Sequence, residues 1–101
     1  MIARTWKGQT TRENAPAYLQ HLTGKVLPEL RQIHGFRGTR VLRRDLGHRV
    51  EFMVITHWES WEAIRAFAGQ EPQTAVVAPA ARELLAEFDD FVSHFDIAHQ
   101  D

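Results

Sequence analysis

The stretch from Val50 to Phe67 constrains the fold of this chain more than any other. It opens as the most apolar, β-branched run in the sequence and closes as a helix. In a strand, Val50, Phe52, Val54, Thr56 and Trp58 point one way and Glu51, Met53, Ile55 and His57 the other. Both sets are largely apolar in the middle, which predicts a central strand covered on both faces. The pattern changes at Trp58, Glu59 and Ser60. Ser60 is placed to N-cap a helix, with Glu62 in the first turn near the positive end of the dipole. Ala63, Ile64 and Phe67 then recur at helical spacing and form an apolar stripe.

The rest of the chain is read around that junction. Ile2 to Gln9 alternates as a first strand, with Ile2, Arg4 and Trp6 on one face. Thr10 and Thr11 are candidate caps for a helix in which Ala15, Leu19, Leu22, Val26, Leu30 and Ile33 recur every three or four residues. Pro28 clashes with the carbonyl of the residue four earlier, Gly24, so a kink or break is expected between them. After His34 and Gly35, a second strand is expected from Thr39 to Arg44, an edge strand guarded by Arg37, Arg40, Arg43 and Arg44. Asp45 to His48 is a hairpin connection, and Arg49 to Trp58 the third strand. The helix of the opening stretch ends near Ala68 and Gly69. Residues 70–73 form a loop, and the state of 74–78 is open. Pro79 starts a short helix to about Ala86, with Glu87, Asp89 and Asp90 as an acidic patch at its end. Phe91 to Ala98 is the last strand, with Val92, His94 and Asp96 on one face and Phe91, Ser93, Phe95 and Ile97 on the other.

The fold class that follows is α+β: a ferredoxin-like β-α-β-β-α-(α)-β arrangement on an antiparallel sheet, in one domain over residues 1–101. Both main helices fall on one face of the sheet. The bare face, carrying Met53 and Ile55, calls for a partner, and an oligomer is expected. Net charge is −1, so there is no field to attract nucleic acid or an anionic membrane. No cysteine is present, which removes disulfides, thiolate metal sites and a thiol nucleophile. No apolar run approaches the roughly 20 residues of a membrane span. The first residues lack the order of a signal peptide, so a cytoplasmic location is the expectation.

The proline-bearing first helix, the entry Gly35, Phe36, Arg37, Gly38 to the second strand, the hairpin at Leu46, Gly47, His48 and above all the run Thr56 to Ile64 resemble the antibiotic biosynthesis monooxygenase (ABM) family, with its dimeric α+β barrel. The resemblance covers nearly the whole chain. It implies a homodimer through the sheet face and, in each subunit, a pocket between sheet and helices. It implies activities that range from cofactor-independent oxygenation of aromatic polyketides and quinols to haem degradation. In the haem-degrading branch an Asn on strand one, a Trp ending strand three and a His on the segment after it do the work. Trp58 matches the Trp. Trp6 stands at or beside the Asn position and Val76 or Val77 near the His position, so haem degradation is not expected. The polyketide oxygenases carry an Asn shortly before the Trp, and this chain has none there.

The residues expected to bind a small hydrophobic or aromatic molecule are Trp58, Trp6, Phe52, Tyr18, Phe67 and Arg4. Trp58 either walls a pocket or plugs the end of the sheet, and Trp6 and Phe52 either line an aromatic cavity or form a plain core cluster. Tyr18 on the first helix either leans its ring into the pocket or stands at the rim. Arg4, on the face of Ile2 and Trp6, requires an anionic partner from the protein or from a ligand. His94 and His57 are candidate general bases, although alternation turns His57 away from Trp58. His21, His34, His48 and His99 are scattered, so no metal site is expected. The function expected is a cofactor-independent monooxygenase acting on a small aromatic or polyketide-like substrate. The alternative is a non-catalytic small-molecule binding or stress-response module of the same fold.

Overall fold

A computed structural model describes residues 1–101 and is organised around its first strand. Strand β1 (Ile2–Thr11) pairs antiparallel with β3 (Arg49–Trp58) along its full length, from Ile2 opposite Trp58 to Thr11 opposite Arg49. β3 pairs on its other side with β2 (Phe36–Asp45). The free edge of β1 takes two short strands end to end: β4 (Leu85–Phe88) beside Gly8 to Thr10, and β5 (Ser93–Asp96) beside Ile2 to Thr5. The result is a five-stranded antiparallel sheet. The helices are α1 (Ala15–His21), α2 (Leu27–Leu30), α3 (Trp61–Ala68) and α4 (Pro79–Leu84). The order is the expected ferredoxin-like one.

The register shows why β3 is central. Opposed residues in an antiparallel ladder share a face, so Ile2, Arg4, Trp6, Gly8 and Thr10 stand with Trp58, Thr56, Val54, Phe52 and Val50 under the helices. Met53, Ile55 and His57 stand with Ala3, Thr5, Lys7 and Leu42 on the opposite face. No helix covers that face, where Leu42 and Phe95 are largely exposed. The junction after β3 forms as the residue types predict: Ser60 Oγ accepts from the Ala63 N–H at 3.2 Å, a cap that contributes about 1 kcal/mol. Gly35 fits tightly against this helix. A Cβ there would stand 2.6 Å from that of Ala63, and its φ of +94° suits glycine.

The kink expected between Gly24 and Pro28 is a π-helical turn, Leu22–Val26, set between α1 and α2. The Leu27 N–H bonds Leu22 O, five residues back, and the added residue in the turn accommodates the proline without breaking the helical path.

Several boundaries differ from the sequence reading. β1 continues through Thr10 and Thr11 instead of ending at Gln9. Thr10 is wholly buried and its Oγ1 donates to Leu84 O at 2.6 Å, so a tertiary partner outweighs a capping role. Thr11 Oγ1 accepts from the Asn14 N–H at 3.1 Å, and α1 starts after Asn14. β2 begins at Phe36 rather than Thr39, with an irregularity between Phe36 and Gly38. The largest difference is at the C-terminal end. The helix from Pro79 stops at Leu84, and Leu85 to Phe88 pairs with β1 as a strand. The last strand is correspondingly shorter than Phe91 to Ala98. Residues 74–78 form an irregular strap, held by a single bridge from Thr74 to Phe91 and by the Ala75 N–H on Asp90 O.

Two apolar clusters lie under the helices. One joins Ile2, Leu27, Leu30, Trp58, Ala63 and Ile64. The other joins Ala15, Tyr18, Leu22, Val50, Phe52 and Ala81.

Candidate functional site

Between sheet and helices lies a cavity of about 90 Å³, partly open to solvent. Arg4, Trp6, Val54 and Thr56 form its floor from β1 and β3. Tyr18, His21 and Leu22 come from α1 and the π turn, Phe67 from α3, and Val76, Val77 and Ala78 close it from the strap. Of 15 lining residues 12 are hydrophobic, so the cavity selects an apolar body. An apolar cavity of about 150 Å³ holds benzene; this one takes a ring only with part of it standing in the mouth.

Val92, in the break between β4 and β5, also lines the cavity. Trp6 lies beside that break, and its Nε1–H donates to Asp89 O at 2.9 Å. The indole folds back across Gly8, where a Cβ would stand 2.5 Å from its ring edge. Only glycine lets Trp6 lie flat there. Trp6 is within 6.4 Å of Tyr18, centroid to centroid, and Tyr18 within 5.3 Å of Phe52.

Arg4 is the unusual group. It is only 4% exposed, in the middle of the sheet. Its guanidinium donates to Pro72 O, donates to Thr74 O at 3.0 Å, and lies 3.1 Å from His94 Nε2. It lies 5.6 Å from the centroid of the Phe67 ring. It joins none of the ion pairs, all of which involve other residues. Burial draws it down to about 10, so it carries full charge at neutral pH. The adjacent charge requires a lone pair on His94 Nε2, which makes that imidazole neutral. His94 is drawn below its ordinary value by burial and then by Arg4.

Tyr18 is 2% exposed, and burial raises its phenol above the usual range. It is therefore a donor at neutral pH and not a base. His21, one turn on, has a buried Nε2 with no partner. It is the functional candidate that sequence reasoning passed over. Its signal was its position three residues after Tyr18, on the same side of the helix.

Of the residues expected to bind a ligand, the fold brings Arg4, Trp6, Tyr18 and Phe67 together on the cavity. It does not bring Trp58 and Phe52 there. Both face the helices as expected, but one layer deeper. Trp58 is wholly buried, donates its Nε1–H to Thr56 Oγ1 at 2.8 Å and stacks on Phe67 at 5.7 Å. Phe52 packs behind Tyr18. Alternation assigns a face, while depth depends on which helix covers the position. His94 sits beside Arg4 but is not part of the cavity lining, and its ring is 4.7 Å from Trp61. His57 opens onto a polar cleft with Arg37, Thr39 and Arg40 on the far side of the sheet and does not reach the cavity. No group of three His, Asp or Glu side chains converges to hold a metal.

A ferredoxin-like sheet with helices on one face and an apolar cavity beneath them defines the class of this protein. The chain belongs to the antibiotic biosynthesis monooxygenase family, whose model matches residues 1–79. No curated protein matches it in sequence. Its fold is similar to that of a monooxygenase of Streptomyces coelicolor solved with nanaomycin D, at TM-score 0.69 and 15% identity over 99% of this chain and 89% of that one. It is also similar to SnoaB, a cofactor-independent oxygenase from Streptomyces nogalater, at TM-score 0.65 and 16% identity over 98% of this chain and 95% of that one. A third similar structure is MhuD, a haem degrader from Mycobacterium tuberculosis solved with two haems in its active site, at TM-score 0.62 and 20% identity over 100% of this chain and 99% of that one. No helix is long and apolar enough to cross a membrane.

Proposed function

We propose that this protein is a cofactor-independent monooxygenase that oxidises a small aromatic substrate in the cavity between sheet and helices. The observation that carries the reading is the cavity itself: an apolar wall with the polar groups of Arg4, Tyr18 and His21 set into it. In such chemistry the substrate is both reductant and carbon source. Loss of a proton from an activated phenol or methylene gives an anion able to reduce oxygen. A methylene becomes a carbonyl, one oxygen atom enters the product, and the other leaves as water with the two hydrogens. The protein contributes deprotonation, orientation and exclusion of water. His21 Nε2 is the base placed to take the proton, since it is buried without a partner. Tyr18 donates to a substrate oxygen, and Trp6 and Phe67 hold the ring.

Haem does not fit. The strap that closes the cavity, Val76 to Ala78, offers no histidine to ligate iron, and Trp6 and Val77 fill the wall with bulk. The second reading, a non-catalytic binding module, is favoured by one observation: the wall carries no carboxylate. The functional unit is a homodimer joined through the open sheet face, which would cover Leu42, Ile55 and Phe95.

Oxygen consumption separates the two readings. With a panel of single-ring dihydroxybenzenes and activated phenols, the apo protein is expected to consume oxygen faster than buffer, and His21→Ala to lose most of that rate. A wild-type rate equal to buffer across the panel supports the binding module instead.

A further inference from the structure

We propose that the cavity takes a carboxylate-bearing ligand and that Arg4 is the residue that selects it. The proposal rests on the reading that this cavity is the ligand site, but not on oxygen chemistry.

A buried guanidinium is costly unless a counter-charge or a full set of acceptors compensates it. Arg4 has neither. It makes no ion pair, and the cavity wall that contains it holds no acidic side chain. Three of its five N–H donors are engaged, by Pro72 O, Thr74 O and His94 Nε2, which leaves two without a protein acceptor. Its guanidinium is held by those three contacts at one end, and the Phe67 ring lies beside it. A planar, fixed fork of this kind matches the two oxygens of a carboxylate. Of the 15 wall residues 12 are hydrophobic, so the remainder of the ligand is a ring or short hydrocarbon body.

A simpler role for Arg4 is to hold the strap through Pro72 O and Thr74 O. That role needs N–H donors but no net charge, because both acceptors are neutral carbonyls. A glutamine amide supplies donors without charge, whereas a lysine keeps the charge and loses the fork. The two substitutions therefore separate the roles.

The test is calorimetric titration of the full chain at pH 8 without oxygen, using benzoate and benzamide, which are similar in size and differ in charge. Wild type is expected to bind benzoate at least about tenfold more tightly than benzamide, the effect of one charge-assisted hydrogen bond. In Arg4→Gln the two affinities are expected to become about equal, and Arg4→Lys is expected to keep part of the preference. Equal or tighter binding of benzamide by wild type overturns the proposal. So does a benzoate preference that survives in Arg4→Gln, or no binding of either ligand at 10 mM, on the order of the weakest affinity worth measuring. The wild-type comparison decides even where Arg4→Gln fails to fold. Because oxygen is absent, failure of turnover leaves the result unaffected.

Discussion

Arg4 Nη1 lies 3.1 Å from His94 Nε2, across directly opposed positions of β1 and β5. The contact exists only while His94 is neutral. Folding lowers the affinity of His94 for a proton through burial and then through Arg4. The unfolded chain therefore binds more protons, and stability rises with pH between the lowered value and the ordinary value of about 6.5. Acidification from pH 8 through that window is expected to lower the melting temperature, with loss complete below the folded-state value. His94→Gln, which stays neutral, is expected to flatten this dependence. Thermal melts of both proteins from pH 4 to 8 check it; parallel pH profiles would contradict it.

The face of the sheet away from the helices presents Leu42, 46% exposed, and Phe95, 59% exposed, around Met53 and Ile55. Sheets of this kind with an uncovered apolar face associate. Light scattering is expected to give twice the 11.6 kDa chain mass. The double substitution Leu42→Glu and Phe95→Glu is expected to give the monomer. A wild-type monomer at micromolar concentration would remove the dimer from the account.

Gly8 is buried beneath the Trp6 indole, and a Cβ there meets the ring edge at 2.5 Å. Gly8→Ala is expected to push the indole off its bond to Asp89 O and to cost about 1–3 kcal/mol, as overpacking does. Its ligand affinity should fall as well, because Trp6 lines the cavity. Denaturant melts and the benzoate titration measure the two effects separately.

Trp58 lies one layer behind the cavity and supports it. Trp58→Ala is expected to lose about 3–5 kcal/mol, the usual cost of emptying a buried aromatic site. Trp58→Phe keeps most of the volume but leaves Thr56 Oγ1 without its donor. It is expected to be less stable than wild type and to bind ligand with little change. If Trp58→Phe instead lost binding at unchanged stability, Trp58 would contact the ligand directly.

What could be read from the residues follows the range of the forces involved. The β3 to α3 junction was legible because strand alternation, the Ser60 cap and the helical stripe are all local signals. The break before Pro28 was legible for the same reason, as a clash four residues long. β4 was not. Leu84, Leu85 and Phe88 continue the three-and-four spacing of the helix before them, and only the vacant edge of β1 makes a strand of them. That missed strand leaves the gap beside Trp6 from which Val92 lines the cavity. The site was half legible. Alternation put Arg4, Trp6, Phe52 and Trp58 on the helix side, but which of them reach the cavity depends on α2 and α3, whose packing no local pattern specifies. His21 stands on the same side of the helix as Tyr18, but no local pattern shows that its Nε2 is buried without a partner.

The most direct test of the central claim is a crystal structure of the protein grown with a 4-hydroxybenzoate-type ligand. The ring is expected between Trp6, Tyr18 and Phe67, with the carboxylate within hydrogen-bond distance of Arg4. A ligand found in the polar cleft by His57, with the cavity beneath the helices unchanged, would contradict it.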